Sequence, residues 1–274
     1  MPKKLSESQI LQFQEKGFVF PIDMCSQAQA SHYLDQLESF EQSQGKTMGK
    51  GFNFKPHLLL TWVNEIARNP IVLDAVEDLI GPNIRLFHLS AWSKGPGDGA
   101  FVDWHQDATY FGLDPSSQIT VWVALSDASV EAGCMEVIPE SHKLGQLHHG
   151  QNDHNKILLS RGQTVDVPID TSNTQHMPLR AGQFSMHDTF LLHCSGPNLT
   201  SHRRVGLGFS YIPTQSRCTS AVRLTAALVR GVDHFNYYDD EPQPMIDNGF
   251  SEQKFHADAV ARFKLSNDEQ AAKY

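Results

Sequence analysis

The rhythm of apolar positions changes once along this chain, near Gly81. Before it, apolar residues mostly recur at helical spacing; after it, they fall into short blocks separated by turn residues. Residues 5–16 predict a short helix entered at Ser6, with Glu7 close behind. Gly17-Phe18-Val19-Phe20-Pro21 predicts a brief strand. Across 26–44, Leu34, Leu37 and Phe40 stand at helical spacing in a polar background, the pattern of a surface helix. The stretch 45–56, rich in glycine and lysine, reads as a mobile loop, and a helical segment follows around 57–67. Pro70 suits the first turn of a helix running from Ile71 to Ile80 and ending at Gly81-Pro82.

Beyond Gly81, strands are expected over 84–93, 119–125 and 205–212, the last stopped by Pro213. Shorter candidates are 135–138, 164–167 and 184–186, with a turn at 95–99 and a long loop over 141–163. A loop of that length inside a compact domain suits a lid. Past Ser251 one amphipathic stretch carries Phe255, Val260 and Phe263, then a polar end. No internal repeat is visible. The pattern predicts one mainly β domain over 1–274: a helical layer at about 5–80, a sandwich or barrel core at about 84–230, and a tail at 251–274.

Composition narrows this little. Of 274 residues, 40% are hydrophobic, enough for a real core, and the net charge of −9 argues against sequence-independent nucleic-acid binding. Cys25, Cys134, Cys194 and Cys218 form no C-x-x-C pair and read as reduced thiols. No apolar leader follows Lys3-Lys4 and no run is long enough to span a bilayer, so a cytoplasmic protein is expected.

Candidate chemistry changes the picture more. In a strand, His105 and Asp107 would share one face, because side chains alternate with period two. His193 follows the apolar run Phe190-Leu191-Leu192, read as a buried strand, and stands before Gly196-Pro197. Two imidazoles and a carboxylate with open positions form the ligand set of non-heme Fe(II) oxygenases. Arg204, eleven residues after His193, could hold the far end of a dicarboxylate. Among 14 histidines, a single His-x-Asp is weak evidence, and His187 lies on the same period-two face as His193 if one strand continued. His142, His148, His149 and His154 have no regular ligand spacing and read as solvated loop residues. The glycine-rich turn at 95–99 lacks the Lys-Ser/Thr ending of a phosphate-binding loop.

Several ordered motifs resemble the phytanoyl-CoA dioxygenase family. They are Val102-Asp103-Trp104-His105-Gln106-Asp107 through Leu113, Thr120 to Leu125, Met135 to Lys143, and His193-Cys194-Ser195-Gly196-Pro197-Asn198 followed by Arg203-Arg204. The resemblance runs from about residue 8 to 240. It implies a double-stranded β-helix, or cupin-like jelly roll, with N-terminal helices packed on it, and the use of Fe(II), 2-oxoglutarate and dioxygen. Carried over, His105, Asp107 and His193 would ligate iron, and Arg204 rather than Arg203 would bind the distal carboxylate of 2-oxoglutarate. Ser195 would add a hydroxyl to that carboxylate, and Thr120 and Trp122 would line the co-substrate site. Related halogenases carry a small residue where this chain has Asp107, so the carboxylate implies hydroxylation. The family usually has glycine at Glu140 and asparagine at Ala132, which questions the loop's turn geometry.

The substrate is expected to be a small molecule, with neither nucleic acid nor membrane as partner; the oligomeric state is left open. The wording of the motifs is similar to the compact bacterial branch, whose aminophosphonate hydroxylases suggest 2-aminoethylphosphonate as a first substrate. Lys50, Lys55, His57 or Arg161 would then meet an anion, unless they are simply solvated. A free amino acid, an ectoine-like molecule or an acyl group are the alternatives, and a metal-binding cupin without oxygenase activity is the competing class.

Overall fold

The computed structural model describes residues 2–48, 53–160 and 162–271. Helix α1 (Glu7–Lys16) starts at a capping box, in which Ser6 and Gln9 satisfy each other's backbone N–H groups, and stops at Gly17 in a left-handed conformation. Helix α2 (Gln27–Gln44) is capped by Ser26 and buries Tyr33, Leu37 and Phe40. A 3₁₀ turn at Pro56–Leu58 leads into α3 (Thr61–Ala67), and α4 (Pro70–Ile80) begins on the side chain of Asn69.

Fifteen strands follow or interleave: β1 (Phe18–Asp23), β2 (Ile84–Lys94), β3 (Val102–His105), β4 (Leu113–Asp114), β5 (Ile119–Ala124), β6 (Met135–Val137), β7 (His149–Gln151), β8 (Gln163–Val165), β9 (Gln175–Met177), β10 (Gln183–Asp188), β11 (His193–Ser195), β12 (Arg204–Pro213), β13 (Arg217–Cys218), β14 (Thr225–Arg230) and β15 (Asp239–Asp240). The short helix α5 (Ala108–Phe111) follows β3, and α6 (Phe250–Ala271) closes the described chain. A seven-stranded sheet runs β1-β10-β5-β12-β2-β14-β15, antiparallel except for the last pair, and a four-stranded sheet runs β3-β11-β6-β9.

The helices cover one face of the large sheet, where Leu37, Trp62, Val72 and Val76 meet Leu89, Val121, Leu207 and Phe209. The small sheet covers part of the other face, with Trp122 and Ala124 against Met135, Val137, Met177 and Leu191. Central strand β12 is buried along all ten residues. Each large apolar side chain it withdraws from water contributes about 1.5–3 kcal/mol. Among the described residues no helix is long and apolar enough to cross a membrane.

The structure departs from the sequence pattern in four places. Of the expected loop 45–56, residues 49–52 lie outside the described residues; Met48 is buried, and Lys55, like the adjoining His57, is inside the protein. The 190–192 run is not a strand: a turn at Thr189-Phe190, closed by Leu191 N–H donating to Asp188 O, leads into it, and the strand begins only at His193. The stretch 141–163 is partly ordered by a 3₁₀ turn and by β7 pairing with β8. The region beyond Ser251 is a 22-residue helix rather than a tail. Phe263 packs it onto Phe87, Phe111 and Tyr238.

Candidate active site

Antiparallel pairing of β3 with β11 sets His105 directly opposite His193. Their rings lie 4.1 Å apart by centroid. Asp107 is two residues past His105, but it is not on the strand. Its backbone is helical (φ −63°, ψ −34°), at the N-terminal boundary of α5, so a turn and not strand alternation brings it in. Its Oδ1 is 3.8 Å from His105 Nε2 and 3.9 Å from His193 Nε2. One donor atom from each of the three lies within 4.8 Å of the others, a spacing that could hold a metal ion.

The surroundings fix the donors. His105 Nδ1–H donates to Asp103 O and His193 Nδ1–H to Leu191 O, which leaves each Nε2 lone pair facing the centre. Burial lowers the pKa of both rings and keeps them neutral, the form a metal requires. Burial by itself would raise the Asp107 carboxyl. Hydrogen bonding from His187 and the nearby His193, His187 and His105 rings outweigh it, holding Asp107 well below the usual carboxylate range. Thr120 donates to Asp107 Oδ2 at 2.5 Å and His187 Nε2–H at 3.2 Å, so Oδ2 is occupied and Oδ1 faces the centre. His187, the rival ligand, therefore reaches the site through Asp107.

A smaller cavity of about 440 Å³ touches His105, Asp107, His193, Trp122, Ser195 and Arg204. Arg204 is buried, its guanidinium carbon 4.2 Å from the centroid of the Trp122 ring. Its Nε has no hydrogen-bond partner, and burial pushes its pKa down to about 10. No described carboxylate pairs with it, whereas a buried cation ordinarily has one. Arg203 points elsewhere and forks both nitrogens onto Glu41. Gly206 lies under Trp122, where a Cβ would sit 1.9 Å from the ring. Of the residues expected at the co-substrate site, Trp122 and Ser195 line this cavity; Thr120 instead turns to Asp107.

Sequence reasoning missed Lys94. It stands opposite Arg204 in the β2–β12 register, fully buried. Its Nζ donates to Ser195 Oγ at 2.6 Å, Gly196 O at 2.6 Å and Ser195 O at 3.1 Å. Burial and the charge of Arg204 lower its pKa to about 6. The available signal was a lysine ending an apolar strand just before a glycine turn.

Beside His105 and Asp107 a larger cavity of about 800 Å³ is lined by Phe54, Trp92, Phe111, Leu158, Gly208 and Phe263, among others. The basic residues nominated from sequence are not seen there. Lys55 donates to Glu241, Phe87 O and Thr225 O, and His57 Nε2–H donates to Glu241 at 2.8 Å. Neither residue is solvated or faces the cavity. Lys50 and Arg161 lie outside the described residues. The loop histidines disperse: His148 meets Asp166 at the surface, while buried His149 accepts from Gln106 N–H. Glu140 adopts φ 71°, the left-handed conformation that explains why glycine is usual at this position.

Two neutral imidazoles and one carboxylate could hold a metal ion, and the unpaired buried arginine beside them could hold an anion, the donor types that non-heme iron, 2-oxoglutarate-dependent dioxygenases use. Comparison with known proteins agrees. The profile of the phytanoyl-CoA dioxygenase (PhyH) family matches residues 13–206, and the chain belongs to this family. A probable alpha-ketoglutarate-dependent hypophosphite dioxygenase of Stutzerimonas stutzeri is 29% identical over 185 residues, covering 65% of this chain and 62% of that protein. A phytanoyl-CoA dioxygenase domain-containing protein 1 homolog of Caenorhabditis elegans is 31% identical over 116 residues, 40% of each chain. The chain thus spans less than two thirds of the length of these curated relatives. The solved apo structure of ThoJ, a non-heme monooxygenase, superimposes with a TM-score of 0.86 at 29% identity, covering 97% of this chain and 100% of that one.

Proposed function

We propose that this chain hydroxylates an aliphatic carbon of a small molecule using Fe(II), 2-oxoglutarate and dioxygen, with release of succinate and carbon dioxide. The observation that carries the reading is the convergence of three metal donors beside a buried arginine that lacks a carboxylate. The two facing sheets support a double-stranded β-helix as the framework. His105 Nε2, His193 Nε2 and Asp107 Oδ1 would hold the iron on one face. When bound, iron and 2-oxoglutarate supply the oxidising power for hydroxylation. Arg204 would receive the distal carboxylate of 2-oxoglutarate as a charge-assisted pair, stiffened by its stack on Trp122. Ser195 Oγ accepts from Lys94, so its own hydrogen is free to point to that carboxylate. The cavity walls keep bulk water from the reacting carbon.

Anaerobic addition of Fe(II) and 2-oxoglutarate should produce the weak visible band of a chelated keto acid. Its absence in folded protein would favour a binding cupin. Succinate release across a panel of small metabolites then identifies the substrate. A phosphorus-containing substrate is a second reading, favoured by the similarity to the hypophosphite enzyme and including the aminophosphonate expected from the motifs. It requires a cation at the larger cavity. An amino acid that stimulates succinate release where aminophosphonates do not would remove it.

A further inference from the structure

Resting on that reading, we propose that the larger cavity selects an uncharged, ring-sized apolar molecule and rejects phosphonates, carboxylates and ammonium groups. Its walls are aromatic: Phe54, Trp92, Tyr110, Phe111 and Phe263 surround the space above the metal ligands. His88 belongs to this wall, stacked on Phe263 with centroids 4.0 Å apart and planes 15° from parallel. Burial first, then the charges of Lys55 and His57, hold His88 neutral. The other polar groups on the wall are neutral, and include the hydroxyls of Ser90, Ser93, Ser160 and Ser210 and the amides of Asn53 and Asn267.

The charged residue lining this cavity, among the described residues, is Asp107. Its Oδ2 is already bonded and its Oδ1 faces the two histidines. Lys55, next to the lining residue Phe54 in sequence, does not line the cavity and is paired with Glu241. A charged substrate group would therefore exchange water for hydroxyls and amides without an available opposite charge among the described residues, which is unfavourable. An apolar ring would lose little and gain contact with the aromatic walls.

The floor sets the size. His88, Ser90 and Trp92 on β2 stand opposite Ser210, Gly208 and Gly206 on β12. A Cβ at Gly208 would come 3.1 Å from Trp92 Nε1, so this glycine holds the cavity open beside the indole. Gly208, Ser210 and Phe263 all lie beyond residue 206, where the family match ends. The substrate wall is thus built partly from sequence that the family profile does not cover.

The test uses the full chain loaded anaerobically with Fe(II) and 2-oxoglutarate, titrated calorimetrically with three matched probes: 2-phenylethanol, 2-phenylethylphosphonate and 2-phenylethylamine. The alcohol should bind saturably and at least tenfold tighter than either charged probe. Gly208→Leu should abolish that binding and Phe263→Ala should weaken it at least fivefold, both with the visible band intact. Equal or tighter binding of a charged probe overturns the proposal, as does the absence of saturable alcohol binding while the band is present. A tight phosphonate lost in Lys50→Ala or Arg161→Ala would also overturn it and name the cation responsible. Loss of the band in the unaltered protein would overturn the iron and 2-oxoglutarate reading itself.

Discussion

Two clusters of buried charge differ in one respect. Around Lys55, Glu241 answers the ammonium at 2.5 Å, also accepts from His57 and Thr225, and shuts the site with its own chain. Around Arg204, no described carboxylate performs that task. Burying a cation is costly in both places. The first cluster offsets the cost internally and is therefore structural. The second leaves it uncompensated by any described carboxylate, with His105, Asp107 and His193 lining the same cavity.

Substitutions can break that contrast. The largest effect is expected from Asp107→Ala, which should lower turnover by about 1000-fold or more by removing the carboxylate of the proposed metal-binding trio. Metal analysis should show iron lost here and in His193→Ala but retained in His187→Ala; the opposite pattern would exchange the roles of the two histidines. Arg204→Leu should weaken 2-oxoglutarate binding by about 100-fold, as expected for removing one member of a buried charge pair, without lowering the melting temperature of the ligand-free protein. A drop in stability as large as that expected for Glu241→Gln would erase the distinction between the clusters.

Glu241→Gln should do the reverse, destabilising the fold by about 3 kcal/mol because Lys55 loses its counter-charge. Burial alone would raise the Glu241 carboxyl, but the charge of Lys55 and the His57 hydrogen bond hold it at about 2 against an ordinary 4.5. Its stabilisation is therefore full above about pH 4.5 and is lost as pH falls toward 2. Melting curves across that window should fall less steeply in Glu241→Gln than in the unaltered protein. The smallest effect belongs to Thr120→Val, which removes one bond to Asp107 Oδ2. It should reduce turnover by about tenfold or less with iron retained, and full loss of iron would show that Thr120 does more than orient the carboxylate.

The same contrast explains what was legible in the sequence. The donor residues sit in compact motifs, and the longer strands of the large sheet have simple apolar patterns, so β2, β5 and β12 could be read within a residue or two. The route by which Asp107 arrives could not: His-x-Asp fits strand alternation, but the chain leaves the strand after His105. Lys55 and His57 looked like solvent-facing residues in a polar loop, because nothing local announces a partner as distant as Glu241. Lys94 was hidden for the same reason, since its acceptors are mainly backbone carbonyls, which have no sequence signature. The closing helix α6 looked like a tail because its buried face includes Ser266, Asn267 and Gln270 as well as Ala259 and Phe263.

The opposed histidines have a mechanical consequence as well as a chemical one. The small sheet is made of strands of three or four residues, lengths that hold together weakly without outside support. A metal bridging His105 and His193 would staple β3 to β11 and draw in the turn that carries Asp107. Its binding energy would then be shared with the sheet, and the folded form would gain stability as free metal rises. Iron supply would set how firmly that half of the molecule stays closed, and chelation would release the small sheet before it disturbed the large one.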